Sequence, residues 1–556
     1  MTQAFSSWLD DFFTSYYRHR PVNATFIGIH DYDHLLPDYS PQGVDAVQRE
    51  MASLLRRLDD RSVAPPQTLV EETDRILATG FLRIQQWEYT SRHFRYGNPS
   101  VYTGEAIFSL LSLFLHPFAP VAERVESAMA RLEAIPTLLA QGEANVRTAP
   151  VAWTERALRE AEGTIRFLGT GITLLIATEG ITDPRFRAAA DRARVAVARY
   201  QEYLRTQVTE DAENRYACGE EAFDMYLREG HQLDSDATEV ARYAREQFAQ
   251  AQAALDAGAA RFGARNWQEA LAKLADIHPT STMYYERYQA LWNACRAAAE
   301  AHDLITWPDF PLRYVPQPIW ARECAPYLYF LHYYTPAPYD RMPVHEYFVT
   351  PIESTMSPEE QTRLLHATNE SVIKLNHVVH HGSIGHHIQN WHAPRAPSRI
   401  GQMAGVDTAA RIAMFCAGTM VEGWASYVVD VMDEVGFLTP LESYSRHHAR
   451  LRASARAIVD VNLHCGRFSF DDAIAFYRDD VGMSADAAVS EAVKNSMFPG
   501  AAMIYLMGQD AIHELRRELA AREKAGFSLR RFHDRFLSHG AIPVSLIARS
   551  MRTESH

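Results

Sequence analysis

Long stretches of this chain repeat their apolar residues with the 3.6-residue period of a helix, and alternating strand-like patterns are scarce. The clearest run from Ala122 to Ile135, Thr154 to Leu168, Asp183 to Gln207 and Asp236 to Arg261. The expected fold class is therefore mostly α. The third run opens with Asp183 in an N-cap position and Pro184 at the first helical position, where a missing N–H costs nothing. With 556 residues the chain is too long for one growing core. It is expected to form a helical N-terminal lobe over residues 1-285 and a C-terminal lobe over 286-556, packed as one continuous globular unit. Hydrophobic residues at 47% and charged residues at 22% exclude a disordered, collagenous or coiled-coil chain.

The formal charge of −14 comes without basic runs, which argues against nucleic acid and against anionic membranes as partners. The most apolar stretch, Gly169 to Ile181, is too short and too rich in Thr and Gly to span the ~30 Å of hydrocarbon in a bilayer. Asp10 and Asp11 follow Met1 too closely for a signal peptide, so a cytoplasmic location is expected. Cys218, Cys295, Cys324, Cys416 and Cys465 are widely spaced and show no CxxC pattern. They read as reduced core residues, with no thiolate zinc site and no nucleophile.

Between Trp307 and Pro351 the chain is dense in Pro and Tyr, and it should loop or extend, with a short strand at His345 to Val349. Beyond it, helices are expected from Ser357 to about His381, from Thr408 to Val435 before Gly436, and from Ala501 to Ala525 before Gly526.

Six histidines fall between residues 377 and 392: His377, His380, His381, His386, His387 and His392. Neutral imidazole is the commonest nitrogen ligand of zinc, and catalytic sites often pair two histidines with a carboxylate. Glu422, in an apolar helix, is the obvious carboxylate, because a buried charge needs a partner or a metal. In the structural alternative the histidines cap helix ends and Glu422 pairs with an arginine. Spacing leaves two metal pairs open. His377 and His381 lie four apart as in HExxH, though with Val378 at the Glu position; His380 and His386 lie six apart and converge only if Gly382 or Gly385 breaks the helix.

These residues resemble a family, the bacterial domain of unknown function 885, whose zincin-like, metallopeptidase-related members carry HExxPGHH followed by an EGWA helix. His380-His381-Gly382-Ser383-Ile384-Gly385-His386-His387 is similar to the first element, and Glu422-Gly423-Trp424-Ala425 matches the second. Similarity extends over most of the chain. It includes Pro21 to Asp31, Tyr333-Tyr334 with Asp340-Arg341-Met342-Pro343, Asp460 to His464, Phe498-Pro499-Gly500 with Tyr505 and Gly508, and Leu529 to Pro543.

The resemblance implies a zincin-like multi-helical fold with a small β element near the active site. It also implies one divalent metal held by His380, His386 and Glu422, with water in the fourth position. The departures are specific. His381 stands where the family has its general-base Glu, and it could take a proton from the metal-activated water or become a ligand itself. Ile384 replaces the Pro, Glu491-Ala492-Val493-Lys494-Asn495 replaces Glu-x-x-Arg-Tyr, Ala501 replaces the Gln of WPGQA, and Leu506 replaces a Lys.

Tyr505 is the candidate donor to an oxyanion, His464 a candidate acid/base group, and Arg341 a clamp for an anionic substrate end, with Tyr334 and Tyr427 lining the site. The expected function is metal-dependent hydrolysis of a small amide, ester or peptide-like substrate, with zinc as the ion. The alternatives are lyase or redox chemistry on iron, copper or manganese, and a pseudo-peptidase that binds without turnover.

Overall fold

The computed structural model describes residues 3–211, 216–328, 335–405 and 417–553. The protein is mostly α, with two small parallel sheets. The described residues of Met1–Tyr216 and Gln317–Met342 form one compact unit, and those of Ala217–Pro316, Pro343–Gly405 and Cys416–His556 form the other.

In the first unit, α1 (Phe5–His19) buries Trp8, Phe12 and Tyr16 along one face. Helix α2 (Ser100–Phe114) is buried along its whole length, its few polar side chains included. It packs on α3 (Val121–Asn145), which follows the expected periodic run and extends beyond it. Strand β1 (Thr148–Ala149) leads into α4 (Val151–Arg166), and α5 (Pro184–Thr206) lies against both α3 and α4 before β2 (Thr209–Glu210) pairs with β1. The start of α5 is the one expected: the Asp183 side chain accepts from the Arg185 N–H, and Pro184 opens the helix.

Two segments of the family resemblance meet in this unit. The His30 ring contacts Asp33 through Nδ1 and Asp340 through Nε2, each at 2.8 Å, and stacks on Phe118. The Tyr339 N–H donates to the Ile27 carbonyl at 3.1 Å.

In the second unit, α6 (Ala237–Gly258) begins in a capping box of Asp236 and Glu239. Helix α7 (Tyr284–Ala301) precedes β3 (Leu312–Pro316), which pairs in parallel with β4 (His345–Val349), the strand the sequence predicts. The helix expected from Ser357 to His381 is broken. An α-helix over Pro358–Ala367 stops at Thr368, and Val372–Gly382 is wound as a π-helix, the wider i→i+5 form that recurs at functional sites.

After it come α8 (His386–His392), α9 (Gly418–Glu434), α10 (Pro440–His464) and α11 (Ile504–Glu523). The expected start of α9 near Thr408, and Cys416, lie outside the described residues. Val240, Ala244, Ala457 and Val461 form a core between α6 and α10. Helices α9 and α11 nearly touch, since a Cβ on Gly508 would sit 1.9 Å from the Thr419 carbonyl oxygen. Cys218, Cys295, Cys324 and Cys465 are all unpaired, and Cys295 and Cys324 are buried.

Candidate metal centre

The histidine segment reverses direction inside a few residues. The π-helix ends at Gly382, Ser383 to Gly385 turn the chain, and His386 opens α8. This turn brings together side chains six residues apart in sequence, which an unbroken helix cannot do. Gly385 makes the turn possible. Its N–H donates to the Val379 carbonyl at 3.0 Å, and a Cβ at that position would lie 1.8 Å from the His380 carbonyl oxygen. The indole N–H of Trp292 holds the Gly382 carbonyl at 2.6 Å, and that of Trp424 reaches the carbonyls of Ile384 and Gly385 at 3.0 and 3.2 Å.

Helix α9 brings Glu422 to the same place. Its Oε2 lies 3.3 Å from Nε2 of His380 and 3.7 Å from Nε2 of His386. The two rings stand 4.8 Å apart at 85°. His381 joins them, with its ring 5.6 Å from that of His386 and almost parallel to it. One ring nitrogen from each of His380, His381 and His386 lies within 4.8 Å of the others. The Glu422 Oε2 atom is buried.

Burial pushes His380 below the ordinary histidine range. Burial and the neighbouring His380, His386 and His377 push His381 well below it. Burial opposes the charge on Glu422, yet His380 and His386 hold its carboxyl well below the usual carboxylate range. Three ring nitrogens gathered beside a carboxylate oxygen are donors of the type a divalent cation takes, so the donor set fits one.

The remaining histidines turn elsewhere. His377 meets the Tyr347 hydroxyl, His387 donates to the Phe310 carbonyl at 2.7 Å, and His392 packs against Trp391.

Of the other predicted residues, Tyr505 reaches the cluster. Burial, followed by the Glu422 charge beside it, pushes its phenol well above the usual range, and the Arg456 guanidinium sits 4.7 Å from its ring centre. His464 is fully buried with Nε2 donating to the Asn495 carbonyl at 2.8 Å. Tyr427 is fully buried with its hydroxyl 2.9 Å from Nε2 of His533. Arg341, exposed and with a φ of 50°, belongs to the first unit. Tyr334 lies outside the described residues.

Several residues that shape the centre escaped the sequence analysis. The Tyr347 hydroxyl is 3.0 Å from Nδ1 of His381, and Gln389 Oε1 is 3.0 Å from Nδ1 of His386. Gln389 was findable, because an i,i+3 step on a helix puts it beside His386. Arg456, on α10, binds Glu491 through two contacts of 2.6 and 3.1 Å. Asp460 accepts N–H groups from Gly500, Ala502 and Met503 at 3.0, 2.8 and 3.0 Å, which ties down the turn leading to Tyr505.

The mostly helical chain belongs to a family of bacterial proteins. The chain matches the bacterial protein family of unknown function DUF885 over residues 21–551 and is a member of it. Among solved structures it is similar to a "putative lipoprotein of unknown function" from Shewanella oneidensis, with 21% identity, a TM-score of 0.77 and 99% of each chain covered. It is also similar to a "putative lipoprotein" from Colwellia psychrerythraea, with 16% identity, a TM-score of 0.75 and 99% of each chain covered. At these identities the likeness is one of fold. No curated protein matches the chain. Among the described residues no helix is long and apolar enough to cross a membrane.

Proposed function

We propose that this protein is a metal-dependent hydrolase of a small amide, ester or peptide-like molecule, with a divalent ion, zinc by its N/O donor set, held by His380, His386 and Glu422. The observation that carries this reading is the buried Glu422 Oε2, converged on by two imidazole Nε2 atoms at 3.3 and 3.7 Å with a ring nitrogen of His381 close by. Such an atom is costly to bury unless a cation completes it. A zincin-like reading of the fold belongs to the same proposal and is supported by two histidines on either side of a helix break and a glutamate on a following helix.

When bound, the ion supplies Lewis-acid polarisation of a carbonyl and activation of water. The chain's own residues do the rest. His380 and His386 present Nε2 to the Glu422 side, and Glu422 stays ionised. Tyr505 keeps its proton on the phenolic oxygen, so it serves as a hydrogen-bond donor to an oxyanion. The nearness of His381 favours one second reading, in which a centre of three imidazoles and a carboxylate takes iron, copper or manganese for lyase or redox chemistry.

The partner in either case is a small molecule or peptide-like substrate, and the net charge of −14 speaks against nucleic acid. A cytoplasmic location is part of this proposal. The lipoprotein naming of the two structural neighbours points to an exported one, and cell fractionation separates the two.

The test is elemental analysis of protein purified without added metal, beside His380→Ala, His386→Ala and Glu422→Ala. About one ion per chain in the wild type and well below one in each variant is expected, since a three-ligand site does not hold its ion tightly with two. Full metal in all three variants would overturn the assignment. Metal identity separates hydrolysis from redox chemistry.

A further inference from the structure

We propose that Tyr347 is a positioning residue of the metal centre, holding His381 so that its Nε2 faces the ion and making His381 a ligand. The inference rests on the metal reading above, in its form with three imidazoles and a carboxylate around the ion.

Tyr347 is fully buried at the middle of β4, and its backbone is registered against Tyr314 of β3. Its hydroxyl lies between two imidazoles, contacting Nδ1 of His381 at 3.0 Å and Nδ1 of His377. A phenol has one proton to give, so it cannot donate to both. One of the two rings must carry its proton on Nδ1 and donate to the phenolic oxygen.

The neighbouring ligand shows which arrangement suits a cation. Nδ1 of His386 faces Gln389 Oε1, an acceptor only, so that ring is protonated on Nδ1 and turns Nε2 toward Glu422. The His381 ring lies 19° from parallel to that of His386, with its Nδ1 likewise on an oxygen, which makes Nε2 the nitrogen it offers an ion. The proton order follows. His381 Nδ1–H donates to the Tyr347 oxygen, and the Tyr347 hydroxyl donates to His377 Nδ1.

His377 is itself held, since its backbone carbonyl accepts from the Tyr314 hydroxyl at 3.1 Å. The opposite order would place a proton on His381 Nε2, aimed at the cation. An outer hydrogen bond of this kind orients a metal-binding histidine and sets its tautomer. With its Nε2 so placed, His381 supplies metal affinity.

The test measures Zn²⁺ affinity by competition with a chelator, and the absorption spectrum of the Co²⁺ form, on the full chain. The proteins compared are the wild type, Tyr347→Phe, His381→Ala and the double variant. Tyr347→Phe should weaken Zn²⁺ about 10- to 100-fold and shift the Co²⁺ spectrum toward that of His381→Ala. His381→Ala should weaken it at least as much, and the double variant no further.

Wild-type affinity in Tyr347→Phe, or a second equal loss when it is added to His381→Ala, would overturn the role of Tyr347. Wild-type affinity in His381→Ala would overturn it without recourse to the tyrosine variant. A wild type that binds no metal would bring down the metal reading itself, whereas a metal-loaded wild type beside an unaffected Tyr347→Phe would remove this inference alone.

Discussion

Trp424, two residues beyond Glu422 on α9, donates its indole N–H to the carbonyl of Ile384 at 3.0 Å, two residues before His386. One side chain thus ties the helix of Glu422 to the turn between the two histidines, so the spacing of His380, His386 and Glu422 does not depend on loop rigidity alone.

Replacing Trp424 by Phe keeps a buried aromatic ring but removes this donor. The expected cost is about 1–3 kcal/mol of stability, the usual penalty for a buried carbonyl that loses its partner, together with weaker metal binding. Thermal unfolding and metal titration check it. An unchanged melting temperature and unchanged affinity would show that the indole contact is incidental.

Gly385→Ala should be among the most damaging small substitutions in the second unit, because its Cβ would meet the His380 carbonyl oxygen at 1.8 Å. Relieving such a clash through backbone shifts costs about 1–3 kcal/mol or more, and here the shift would move His380 itself. Gly526→Ala serves as a control, having nothing within 4 Å of the added atom and no positive φ. Chemical denaturation and metal content should separate the two variants. Equal behaviour would refute the role given to Gly385.

His30 titrates with folding. Burial would lower its pKa, but its hydrogen bonds to Asp33 and Asp340 outweigh burial and raise it from 6.5 to about 9. The folded state therefore holds this proton more tightly than the unfolded chain does. The stabilisation is fully present below pH 6.5 and is lost as pH rises through about 9. Melting temperature followed from pH 6 to 10 should fall less steeply for His30→Gln than for the wild type. Parallel curves would mean that the proton is not shared as the geometry requires.

Against a broad panel of dipeptides and oligopeptides, turnover should be negligible, with activity confined to a narrow class of small carbonyl compounds. His381, Lys494-Asn495, Ala501 and Leu506 stand where the family resemblance places groups that bind and cleave a peptide unit. Each lost charged hydrogen bond removes ~1.5–3 kcal/mol. Metal-dependent cleavage of many unrelated dipeptides at kcat/KM of ~10⁴ M⁻¹s⁻¹ or more would refute this.

Much of the secondary structure was legible in the sequence because its causes are local. The start of α5 at Asp183 and Pro184, the helix that follows Asp236, and strand β4 at His345–Val349 each rest on residues within a few positions of one another. The motif resemblance likewise singled out His380, His386 and Glu422, which the fold brings together. Packing decided the rest. The π-helical winding of Val372–Gly382 broke a helix that periodicity read as continuous.

The roles of Tyr347, Trp424 and Arg456 depend on partners 34, 40 and 35 residues away. His464 and Tyr427, both attractive as polar residues near motifs, are fully buried against Asn495 and His533. Helix periodicity and end caps are set by interactions that a short stretch of chain already contains. The oxygen that Nδ1 of His381 meets is on β4, and only the folded chain brings the two within reach.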